Sequence, residues 1–311
     1  MTANERRDSQ CHNWELFTWA ATTFQGAGSS CARWVGALIF AVALGAMPAV
    51  FAETEKDYTY SIGDGKATTT KSYGVFLGIN GNEYAKLKEY RLVVIEPSEF
   101  TSEQIEQLHA EGKKVYGYLN IGAVEKYRPY FNRFEELFLG VYKDWPDERW
   151  INAADPKWQH FIVNELGKQY SDMGFDGFFL DNADVYYNFG TDDIYQGLCA
   201  ILQGLKNYNM KLVINGGDTF VTRCINENKY LFDAVNQETV FTSINFENGT
   251  YGAQTAEETT YFKEYLAKVK NSGLSVYLLE YAADHTLAKK IDAYCTENAF
   301  IWYNAKNMDL K

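Results

Sequence analysis

From Ser72 onward the chain alternates short apolar runs with amphipathic stretches. The runs are SYGVFLGI (72–79), RLVVIE (91–96), KVYGYLNI (114–121), DGFFLD (176–181), KLVING (211–216), DAVNQE (233–238), LSVYLLE (274–280) and FIWYNA (300–305). Their length and their β-branched and aromatic content suit strands buried on both faces. The stretches between them carry helix starts: Thr101 with Gln104 and Thr255 with Glu258 at capping-box spacing, Asp155 ahead of Pro156, and Thr191 and Asp284 as further N-caps. Gly112, Gly174, Asn209 and Gly273 stand where helices should stop. Strand and helix in strict alternation imply a parallel sheet, and eight such strands predict an α/β fold of the (β/α)8 TIM-barrel type. Too few residues follow the last run for a full helix, so the eighth helix is expected to be short or absent. A doubly wound open sheet is the alternative, but GINGNEYAK after the first strand is not the glycine-rich phosphate loop such a fold commonly carries.

The first fifty residues follow a different pattern. RWVGALIFAVALGAMPAVFA, from Arg33, is an apolar stretch behind a basic residue with Val50 and Ala52 at the positions a signal peptidase reads. Residues 1–52 are therefore expected to be an N-terminal extension with a signal peptide or, left uncut, a membrane anchor, which makes the protein secreted or periplasmic. Residues 53–311 then form a single domain of barrel length. The segment 53–71 is placed to cover the gap left by the missing helix or to plug the barrel's bottom.

Composition narrows the partners. The 311 residues carry 41 Asp and Glu against 29 Lys and Arg, a formal net charge of −12. Charge of that sign argues against nucleic acid as a partner. In the leading segment Glu5, Asp8 and Glu15 balance Arg6, Arg7 and Arg33, so the excess falls on the barrel. Of the cysteines only Cys199, Cys224 and Cys295 follow the leader, with no spacing that makes a disulfide scaffold or a zinc site. One pair could bond outside the cytoplasm, and sequence does not say which.

In a barrel the chemistry gathers at the C-terminal ends of the strands. The residues there are Asn80, Glu96, Asn120, Asp181 with Asp184, Asn215 with Asp218, Glu238, Glu280 with Tyr281, and Tyr303 with Asn304. Histidine is absent from that rim, since His109, His160 and His285 fall on predicted helices. No HExxH and no Gly-x-Ser-x-Gly occurs, and DNADVYYNFGTDD lacks the spacing of a calcium loop, so neither cofactor nor metal is expected. Acidic pairs remain, and glycoside hydrolysis is the reaction class that runs on two carboxylates alone. One carboxyl must give a proton to the leaving oxygen while the other stays ionised, so the two need different surroundings. Asp181 and Glu238, two strands apart, can face one another across such a pocket. Among the many aromatics after the third strand, Trp145 and Trp150 are the candidates for stacking on a sugar ring.

GFDGFFLDNADVY (174–186), YLNIGAVEKYRPYF (118–131), LVINGG (212–217) and VNQE (235–238) together resemble the secreted endo-α-1,4-polygalactosaminidases, glycoside hydrolase family 114. The likeness runs from Tyr73 to Asn304. It implies a (β/α)8 barrel that cleaves α-1,4-linked galactosamine polymers, with Asp181 as nucleophile and Glu238 as acid/base. By the same resemblance Tyr127, Arg128, Asp184, Asn215 and Glu280 would hold the sugar. The chain departs from the family pattern where Tyr73 and Phe76 stand for a first-strand tryptophan and Glu96 for an aspartate, departures that bear on sugar specificity. The expected partner is a polysaccharide. If it is a cationic amino-sugar polymer, Glu96, Asp184, Asp218 and Glu280 would pair with its amines. A glycosidase for another α-linked glycan and a barrel that binds polysaccharide without cutting it are the competing readings.

Overall fold

The computed structural model describes residues 71–311. Eight parallel strands form one sheet: β1 Lys71–Phe76, β2 Tyr90–Ile95, β3 Lys114–Asn120, β4 Gly177–Asp181, β5 Lys211–Asn215, β6 Ala234–Glu238, β7 Ser275–Tyr281 and β8 Ile301–Ala305. They pair in chain order, each with the next. Every strand coincides with one of the eight apolar runs. The sheet curls into a (β/α)8 barrel whose last gap, between β8 and β1, has no ladder hydrogen bonds among the described residues. Aromatic rings fill that seam: Tyr303 of β8 lies 5.4 Å from Phe76 and 5.8 Å from Tyr90, measured between ring centroids.

The helices begin and end where their caps predict. Thr101 and Gln104 exchange both bonds of a capping box ahead of the helix Ser102–Ala110. Thr191, Thr255 and Asp284 each accept a backbone N–H at the start of the helices Asp192–Lys206, Ala256–Asn271 and His285–Asn298. Asp155 does the same before Pro156, opening a helical run that passes through a π segment at Phe161–Gly167 and stops at Gly174. Gly112, Gly174, Asn209 and Gly273 all have positive φ, as stop positions require. The first crossover is reduced to a 3-10 turn, Gly81–Leu87, and among the described residues no helix follows β8. Instead the tail turns back, and Gly78 N–H donates to the Leu310 carbonyl at 3.2 Å.

Alternation along the strands divides the buried side chains into two cores. Tyr73, Val75, Leu92, Val94, Tyr116, Tyr118, Phe179, Val213 and Leu279 fill the barrel, joined from the tail by Leu310. Their neighbours in sequence, such as Val93, Ile95, Phe178, Leu180, Leu212, Ile214 and Leu278, face the surrounding helices. Two strand excursions rise from the C-terminal side. After β3 the strands Ala123–Glu125, Phe138–Tyr142 and Trp145–Ile151 form a small antiparallel sheet, and after β6 Thr242–Asn245 pairs with Thr250–Ala253. Cys199, Cys224 and Cys295 are buried free thiols. The expected signal or anchor segment and the residues up to 70 lie outside the described part. Among the described residues no helix is long and apolar enough to cross a membrane.

Candidate active site

The strand pleat decides which rim residues can meet. Counting inward-facing positions along each strand brings Glu96, Asn120, Asp181, Asn215, Glu238 and Tyr281 to the inner face at the C-terminal end. Asn215 sits at the centre of this ring. Its Nδ2 donates to Asp181 Oδ1 at 2.9 Å and to Glu238 Oε1 at 2.8 Å, so these two oxygens lie no farther apart than 5.7 Å. Its own Oδ1 accepts from Asn236 Nδ2 at 2.7 Å, and Asn236 in turn accepts from the Tyr73 hydroxyl at 3.0 Å. Tyr118 donates to Asp181 Oδ2 at 2.8 Å and Tyr281 to Glu238 Oε2 at 2.6 Å. Burial pushes both phenols well above the usual tyrosine range, so they remain donors. Each carboxylate is thus fixed by a phenol on one side and a shared amide on the other.

Two carboxylates this close do not ionise independently. Burial first, and then the charge of Glu238, push Asp181 up to about 7 against the opposing hydrogen bonds of Tyr118 and Asn215. Below that pH the pair retains a proton that can be given to a leaving group, and its remaining charge can act as nucleophile or base.

A second acidic group flanks the first. Glu96 and Arg128 form a bidentate buried pair at 2.8 and 2.9 Å, and Arg128 also reaches Glu125 with two bonds of 3.2 Å. Burial opposes the charge of Glu96, but the guanidinium overrides it and holds the carboxyl below the usual range. Glu125 stands directly across the small sheet from Glu148. Burial, followed by the charges of Glu125 and Asp181, pushes Glu148 up to about 8. Asn182, the residue after Asp181, reaches Glu148 at 3.4 Å from a left-handed backbone, φ 63°. Its carbonyl presses so closely on Gly122 that a Cβ there would lie 1.8 Å from the oxygen.

The remaining rim residues are placed elsewhere. Asp184 is buried and accepts the backbone N–H of Gly217 at 3.1 Å, bracing the turn after β5. Asp218 accepts from Tyr261 on the outer helix Ala256–Asn271. Glu280 is 0% exposed and turned outward, accepting the N–H groups of Phe241 and Thr242 and the Thr242 hydroxyl. Tyr303 packs in the β8–β1 seam. Tyr127 is 69% exposed, with its ring over the Arg128 guanidinium. Of the two tryptophans, Trp150 is buried and stacked on Tyr142. Trp145 is 42% exposed and meets Phe246 from the hairpin after β6, edge to face at 6.0 Å. Among the described residues no cluster of three or more His, Cys, Asp or Glu is arranged to hold a metal ion.

A model of glycoside hydrolase family 114 matches residues 59–310. The chain belongs to that family. Among solved structures this family 114 hydrolase resembles the glycoside hydrolase domain of PelA from Pseudomonas aeruginosa, with a TM-score of 0.67 and 16% identity over 77% of this chain and 95% of that one. It also resembles Aspergillus fumigatus Ega3, solved in complex with galactosamine, with a TM-score of 0.60 and 16% identity over 82% and 98% of the two chains. At those identities the likeness is one of fold. An uncharacterized protein of Deinococcus radiodurans is 26% identical over 193 residues. That match spans 58% of the family 114 chain and 60% of the relative's own length.

Proposed function

We propose that this family 114 hydrolase cuts within α-1,4-linked galactosamine-type polysaccharide, with Asp181 as nucleophile, Glu238 as acid/base and the configuration of the cut sugar retained. The observation that carries the reading is the Asp181–Asn215–Glu238 bridge, with its oxygens at most 5.7 Å apart. Retaining glycosidases hold their carboxyls ~5–5.5 Å apart, whereas inverting ones leave ~6.5–9.5 Å for a water. Asp181 attacks the anomeric carbon while Glu238 protonates the departing oxygen. Glu238, now a base, then draws a proton from the water that releases the sugar. Asn215 and the two phenols hold both groups in place.

The acidic surroundings support a cationic substrate. Glu96, Glu125, Glu148, Asp181 and Glu238 follow one another at the C-terminal side of the barrel, each acting on the next by contact or charge, and Arg128, which reaches two of them, is already paired twice. An excess of negative charge there concentrates a polymer of free amines, and added salt weakens the attraction. The test is digestion of de-N-acetylated and fully acetylated galactosaminans, read by reducing-end release and mass spectrometry. Asp181→Asn and Glu238→Gln are each expected to lower the rate at least about a thousandfold with the fold retained by circular dichroism. Full activity in either variant would overturn the assignment, as would product of inverted configuration for its stereochemistry.

A further inference from the structure

Glu148 lies outside the catalytic pair, and its setting is hard to explain by packing. It faces Glu125 directly across an antiparallel pair, a like-charge arrangement that destabilises a sheet. Arg128 relieves it only through its charge, because its donors go to Glu96 and Glu125. Among the described residues Glu148 has no salt-bridge partner; the Asn182 amide reaches it at 3.4 Å and the Asn120 amide also acts on it. Asn182 is carried there by a left-handed turn immediately after Asp181, the kind of local strain that gathers at binding sites.

Asn120 makes the same point independently. It is 3% exposed, its Oδ1 accepts Ala123 N–H at 2.8 Å, and this bond fixes which way the amide faces. Its Nδ2 has no partner. The amide favours the ionised form of Glu148, but Nδ2 makes no hydrogen bond of good geometry to it. A buried donor left open beside a carboxylate without a cation asks for a ligand that offers an ammonium and, on a neighbouring atom, an oxygen.

We propose that Glu148 and Asn120 form the amine-reading part of the sugar site, Glu148 taking the 2-ammonium of a hexosamine unit and Asn120 Nδ2 donating to its adjacent hydroxyl oxygen. The proposal rests on the amino-sugar reading above and adds the residues that tell a free amine from an acetamide. An N-acetyl group removes the charge, so Glu148 keeps its proton and gains no ion pair. Binding also has a proton signature. Near neutral pH the empty site holds Glu148 largely protonated, and the arriving ammonium displaces that proton to the buffer.

Glu148→Gln keeps the shape and removes the charge. It is expected to lower kcat/KM at least tenfold on de-N-acetylated polymer and less than threefold on an N-acetylated copolymer, while raising Tm above about pH 8, where an ionised Glu148 repels Glu125. Isothermal titration with galactosamine at pH 7, in buffers of different ionisation enthalpy, should show proton release in the wild type and none in the variant, and galactose should show none in either. An unchanged ratio between the two polymers, or equal proton release with galactosamine and galactose, overturns the proposal while leaving the substrate reading intact. If the wild type cuts no amino-sugar polymer, the substrate reading falls and the proposal falls with it.

Discussion

Asn215 is the residue on which the candidate site turns, because one amide nitrogen holds both proposed catalytic carboxylates and one amide oxygen ties them to Asn236 and Tyr73. Replacing it by alanine leaves a buried donor on Asn236 and an acceptor on Asp181 unsatisfied, a cost of about 1–3 kcal/mol for each buried group. Asn215→Ala is therefore expected to lower kcat roughly a hundredfold through misplacement of the pair, with KM changed far less. Steady-state kinetics on a defined oligomer checks that split. The proton on the pair sets a second expectation. Burial and mutual charge push the loss of the last proton from the coupled Asp181–Glu238 pair up to about 7, so kcat/KM should fall along an alkaline limb near that pH as the proton that Glu238 passes to the leaving group is lost. A profile flat to pH 9 would contradict it. Sequence reached Asp181, Glu238 and Asn215 because they close strands, where the pleat tells which face a side chain takes. Glu125 and Glu148 escaped it because they sit on an excursion after β3, whose inner face is settled only when it folds back over the mouth.

At the scale of elements, the pleat also explains why adjacent residues have separate tasks. Glu280 and Tyr281 both close β7, but only Tyr281 shares the inward phase of Tyr277 and Leu279. Glu280 turns outward and fastens the root of the Thr242–Asn245 strand through two backbone amides and a hydroxyl. Glu280→Ala orphans all three in a fully buried setting and is expected to cost about 3 kcal/mol or more, read as a lowered denaturant midpoint. The hairpin rooted there carries Phe246 to Trp145, so two loops from different sides of the barrel touch on the mouth side. Trp145→Ala should raise KM for long polymer several-fold and leave kcat within a factor of two, since the contact joins two excursions and makes no bond to Asp181 or Glu238. The strands and caps were legible because caps and periodicity are local. The closing of these two excursions depends on residues about a hundred positions apart, beyond what any local pattern records.

Among the described residues, three carboxyls are pushed well above their ordinary range, Asp181 and Glu280 up to about 7 and Glu148 up to about 8, with desolvation the first cause in each. A folded-state pKa raised above the unfolded value stabilises the protein below the unfolded pKa, and that stabilisation is lost as pH rises through the folded one. Thermal stability should accordingly decline between about pH 4.5 and 8, with a shallower slope in Glu148→Gln, as calorimetry across that range would show. The seam between β1 and β8 adds a different property. Phe76, Tyr90 and Tyr303 close it by ring contact, and Leu310 from the tail enters the barrel beside it. Leu310→Ala should cost about 2–3 kcal/mol. β1 and β8 are also the strands farthest apart along the described chain, so their meeting carries the largest loop-closure entropy of any neighbouring pair. Held by contacts that can part without breaking a ladder, they should be the last to join in folding and the first to separate in the native state. Amide exchange should enter the ring there, travelling outward toward β2 and β7 before it touches the strands that carry the two carboxylates.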